Sequence, residues 1–97
     1  MKVRLAERAE AQLDERRTWW RAHREERDLF DEELAVAVRF LAVNATTLPV
    51  VRNTHGHSYR RVLMPRTGCH LYFEVIGEEV FVMAAWGATR GRLPRLT

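Results

Sequence analysis

Ninety-seven residues, 46% hydrophobic and 30% charged, have the balance of one small globular domain and not of a disordered chain. No apolar run approaches the ~18–20 residues that span a bilayer, and the start Met1-Lys2-Val3-Arg4-Leu5-Ala6-Glu7 turns charged too soon for a signal peptide. The single Cys69 excludes an internal disulfide and fits a reducing cytoplasm, while sixteen basic against thirteen acidic residues leave a net +3.

In chain order, Lys2 to Leu5 alternates Val3 and Leu5 against Lys2 and Arg4 and reads as a short strand. From Ala6 the period becomes helical, with Ala9, Leu13 and Trp20 on one side and charges elsewhere. Arg24-Glu25-Glu26-Arg27 is a charged joint. Asp28 is an expected N-cap for a second helix whose apolar stripe is Phe30, Leu34, Ala37, Val38 and Leu41, with Asp31, Glu32 and Glu33 near its positive end. Asn44 to Leu48 dissolves that helix and Pro49 ends it. Strands then follow at Tyr59–Met64, Cys69–Val75 and Val80–Trp86, joined by turns at Pro65-Arg66-Thr67-Gly68 and Ile76-Gly77-Glu78-Glu79. The stretch His55-Gly56-His57 reads as a mobile polar loop. Gly87, Gly91 and Pro94 punctuate a basic tail over about residues 87–97. The expectation is a single α+β domain over residues 1–97, ordered β-α-α-β-β-β, with a helical hairpin on one face of a small, mostly antiparallel twisted sheet.

The charge is uneven. Residues 1–49 hold nine basic and ten acidic side chains, a sum of −1; residues 50–97 hold seven basic and three acidic, a sum of +4. Fifteen of the sixteen cations are arginine, whose forked donors suit carboxylate or phosphate. The basic half therefore points to an anionic partner.

Four-residue turns fix a register, which pairs Leu63 with His70, Val62 with Leu71, Arg61 with Tyr72, Phe73 with Val82, Tyr72 with Met83 and His70 with Ala85. One face becomes Val62, Met64, Cys69, Leu71, Phe73, Val82, Ala84 and Trp86, a core for the helices. The other carries Arg61, Leu63, His70, Tyr72, Glu74, Phe81, Met83 and Ala85, and nothing in the sequence covers it, so it reads as an open binding strip. Trp19 and Trp20 point ~100° apart on the first helix, so one is core and the other is a contact for a partner or lies along its own helix. His55, His57, Cys69 and His70 lack paired metal-ligand spacing, so neither a metal nor a cofactor is expected.

The segments Tyr59-Arg60-Arg61-Val62-Leu63, Gly68-Cys69-His70-Leu71-Tyr72-Phe73-Glu74-Val75 and Val80-Phe81-Val82-Met83-Ala84-Ala85-Trp86-Gly87-Ala88-Thr89-Arg90 resemble the RelE/ParE superfamily of bacterial toxins. The N-terminal strand and helical hairpin are similar too, so the resemblance spans nearly the whole chain. It implies the toxin of a type II toxin–antitoxin (plasmid stabilisation) pair, held silent in a hetero-oligomer by a ParD-like or other antitoxin whose C-terminal segment wraps around it. RelE-like members cleave messenger RNA on the ribosome with strand cations; ParE-like members poison DNA gyrase. Arg61 matches a strand cation of the ribonucleases and Arg90 the Arg that ends the last strand. The second strand cation falls on Leu63, the middle-strand Arg on His70, and the tail Tyr near Leu96. These departures favour the ParE branch, with target binding by Arg61, Tyr72, Arg90, Arg92 and Arg95, and antitoxin binding by Trp19, Trp20, Phe81 and Met83. In the alternative, a ribosome-dependent endoribonuclease, His70 serves as base and Arg61 and Arg90 stabilise the phosphorane.

Overall fold

A computed structural model describes residues 1–88, Pro94 and Leu96. Strand β1 (Lys2–Leu5) runs directly into helix α1 (Glu7–His23), and helix α2 (Leu29–Asn44) follows the charged joint. A single 3-10 turn (Ala45–Thr47) leads to strands β2 (Val50–Thr54), β3 (His57–Met64), β4 (Cys69–Ile76) and β5 (Glu79–Gly87). They form one sheet in the order β1-β5-β4-β3-β2, with β1 parallel to β5 and every other pair antiparallel.

The helices pack on one face as expected. Ala9 and Leu13 of α1 and Phe30, Ala37 and Leu41 of α2 are buried against Met64, Leu71, Phe73, Val80 and Val82. Side chains tie the layers together. Asp31 of α2 accepts from both Arg17 and Arg21 of α1, and Glu33 of α2 accepts the backbone N–H of Arg66 and Thr67 at 2.7 and 2.9 Å, clasping the β3–β4 turn. Asp28 does precede α2, but its side chain makes no capping hydrogen bond.

Three expectations change. First, β2 is an additional strand, so the order is β-α-α-β-β-β-β. His55-Gly56 is its two-residue hairpin turn, not a mobile loop: both residues have positive φ, 49° and 78°, and Thr54 pairs with His57. Two left-handed residues in succession match the right-handed twist of the flanking strands, and His enters that region more readily than most residues. Second, the β4–β5 register slips. Phe73 pairs with Val82 as expected, but Tyr72 pairs with Ala84 and His70 with Trp86, leaving Met83 as an extra residue. A bulge inverts the alternation beyond it. Ala85 therefore joins the helix-side core, while Ala84 and Trp86 lie on the opposite face. Gln12 of α1 stabilises this arrangement: its side-chain oxygen accepts the Ala85 N–H at 2.8 Å. Third, the opposite face is not open throughout, because Pro94 and Leu96 are buried against it.

Candidate functional site

Alternation on β3 and β4 sends His57, Tyr59, Arg61 and Leu63, with His70, Tyr72 and Glu74, to the face away from the helices. The middle of that face is a second core. Tyr59, Tyr72, Ala84 and Leu96 are buried together, with Val51, Met83 and Trp86 packed around them. Arg52 of β2 donates to the Pro94 carbonyl at 3.0 Å, and the Tyr59 hydroxyl donates to the Leu96 carbonyl at 3.4 Å. Burial foremost, then the charge of Glu74, raises the Tyr59 pKa above its ordinary value.

Arg61 and His70 flank this plug. The Arg61 guanidinium is half-buried and donates to the Tyr72 hydroxyl at 3.4 Å. That contact is a long hydrogen bond; the cation–π contacts among the described residues both belong to Arg24. His70 stands edge-on to the Tyr72 ring, centroids 5.9 Å apart. Its pKa is lowered by burial first and by Arg61 second, so near neutral pH the imidazole is uncharged and able to accept a proton. Leu63, where the ribonuclease pattern has a second cation, is exposed on the same face.

The remaining sequence candidates divide. The Tyr72 ring is 1% exposed, so it offers a partner no ring surface. Phe81 and Met83 are half-buried on this face, on β5. Arg90, Arg92 and Arg95 lie outside the described residues. Trp20 packs against the helix-side core, whereas Trp19 is 45% exposed and stacks on His23 of its own helix, centroids 4.8 Å apart. Arg24 reaches over both indoles at 5.2 and 5.5 Å. A cleft of about 740 Å³ opens beside them, lined also by Arg16, Thr67, Trp86 and Gly87. The two tryptophans thus share one aromatic and cationic cleft.

Cys69 and His70 point to opposite faces of β4, and burial raises the Cys69 thiol pKa, leaving it an apolar core group. Among the described residues no cluster of three or more His, Cys, Asp or Glu has metal-binding geometry. Sequence reasoning missed the His57–Glu74 pair, in which Nδ1 lies 2.8 Å from a carboxylate that is only 9% exposed. Reading His57 as loop hid it; its place at the start of an alternating strand is the signal that could have found it.

No protein-family model matches the chain, and no curated protein matches it in sequence. Among solved structures it is similar to a chain of the chromosomal ParDE TA system from P. aeruginosa, with a TM-score of 0.73 and 18% identity over 90% of this chain and 95% of that one. The likeness is one of fold, over nearly the whole of both chains. No helix among the described residues is long and apolar enough to cross a membrane.

Proposed function

We propose that the chain is the toxin of a type II toxin–antitoxin pair, of the ParE kind, which acts by binding DNA gyrase in the cytoplasm and is neutralised by a cognate antitoxin. The observation that carries this reading is the fold shared with the ParDE-system chain over 90% of the sequence. The gyrase branch is supported by the poverty of the sheet face in cations: Arg61 stands beside an exposed Leu63 and an uncharged His70. A strand surface so equipped suits docking better than stabilising a phosphorane, for which several fixed charges are needed. Arg61 and the basic tail are the proposed target surface, and the Trp19–Trp20 cleft takes the antitoxin.

Expression in a bacterial host without antitoxin tests it. Growth arrest with DNA-damage induction and trapped gyrase–DNA complexes is the expected result. Rapid loss of translation with codon-positioned cuts in messenger RNA would instead establish the ribonuclease, for which the neutral His70 near Arg61 is the favouring observation. Arg61→Ala should weaken target binding roughly tenfold or more, the scale of an interface hot spot. His70→Ala should leave gyrase poisoning nearly unchanged but abolish messenger cleavage.

A further inference from the structure

The outer side of α2 is largely apolar and is left uncovered by the described residues. Glu32, Ala35, Val36, Arg39, Phe40 and Val43 are all exposed, Val36 by 56% and Val43 by 77%. Their spacing of three and four residues makes one continuous stripe along the helix. Beside it lies a groove of about 510 Å³ along α2 and β3, lined also by Leu29, Val62, Leu63 and Pro65. Neither the Glu32 carboxylate nor the Arg39 guanidinium has an ion-pair or hydrogen-bond partner among the described residues.

We propose that this stripe docks against the same stripe of a second copy, forming an antiparallel homodimer about a two-fold axis through the middle of α2. The charge pattern selects the occupant. One acid and one base stand seven residues apart on the same side, so an acidic or a basic partner would gain at one end and lose at the other. An inverted copy satisfies both ends, as the self-complementary patch of a two-fold interface must. An axis midway between Ala35 and Phe40 sets each Phe40 beside Val36 of the other copy, on the same flank of the stripe. It also sets each Arg39 level with the other copy's Val36, about 6 Å along the axis from that copy's Glu32, within reach of an arginine side chain. One helix pair with its flanks is a small interface, so the dimer is weak and concentration-dependent. This pairing does not rest on the toxin reading, and a monomer would leave that reading intact.

Sedimentation of the purified full chain over a wide concentration range tests the pairing, with circular dichroism confirming the fold of each variant. The chain should pass from monomer to dimer as concentration rises. Glu32→Arg and Arg39→Glu should each weaken the dimer roughly tenfold or more. Mixing these two single variants should restore it, because each then supplies the charge that the other lacks. A monomer at every concentration overturns the proposal. So does a dimer indifferent to Phe40→Glu, or a mixture that stays monomeric.

Discussion

Asp31 shows how one side chain couples two helices. Its carboxylate bridges Arg17 and Arg21 across the hairpin. Burial opposes its ionisation, yet the hydrogen bonds and charges of those arginines outweigh burial and hold its pKa below the ordinary value. A carboxylate whose folded pKa is depressed binds fewer protons when folded than when unfolded. Its contribution is therefore present above the unfolded pKa of about 3.9 and is lost as pH falls through the folded value. Asp31→Asn should cost roughly 1 kcal/mol at neutral pH, at the upper end for partly exposed ion pairs. Thermal melts should show the difference between the two proteins shrinking as the pH drops below about 4. A constant difference across that range would mean that the amide disturbs packing and not charge.

At the scale of elements, the bulge in β5 and the helix that services it act together. Without the extra Met83, Ala85 would face away from α1, and Gln12 would have no N–H to accept. Gln12→Ala leaves that buried donor unpaired and should cost about 1–3 kcal/mol in urea denaturation. Gln12→Glu keeps an acceptor and should retain most of the stability. Faster amide exchange at Ala85 in the alanine variant would place the effect at the bulge. Glu33 of α2 plays a comparable part at the β3–β4 turn, where it accepts two backbone donors and the Thr67 hydroxyl, at 2.6 Å.

Across the whole molecule, the sheet is sandwiched between two helices and the end of its own chain. Leu96 is 3% exposed although it is the penultimate residue, because Tyr59, Tyr72 and Ala84 form its seat. Leu96→Ala should cost about 2–5 kcal/mol, the range for truncating a buried leucine. Removing the cover should also let water reach Tyr59. Burial leads the rise in its pKa, so spectrophotometric titration of a chain truncated after Leu93 should find that pKa moved back down. An unchanged titration would show that Pro94 and Leu96 do not shield it. The same burial separates the target-facing candidates: Arg61 is half-buried, whereas the Tyr72 ring is covered.

How much of this was legible in the sequence follows from the range of the forces involved. Local periodicity located β1, both helices and the β3–β4 hairpin, whose Met64–Cys69 register agrees with that expected from the Pro65-to-Gly68 turn. Val50–Thr54 escaped notice because an edge strand need not alternate, and because His-Gly is a less familiar hairpin turn than Asn-Gly. The His57–Glu74 pair was missed with it.

The net +3, the excess of arginine and the +4 of the second half were fixed by the amino-acid sequence alone, and strand alternation put Arg61 on the face away from the helices. So was the segregation of helices from strands, since each element's apolar period is written in its own residues. Tertiary structure alone decided which side of β5 each residue past Val82 faces, and that the far face is closed by Pro94 and Leu96. A bulge depends on a partner strand and on an acceptor such as Gln12, 73 residues away in the chain. The burial of Leu96 depends on a seat built from three strands. Neither exists in any local window of sequence.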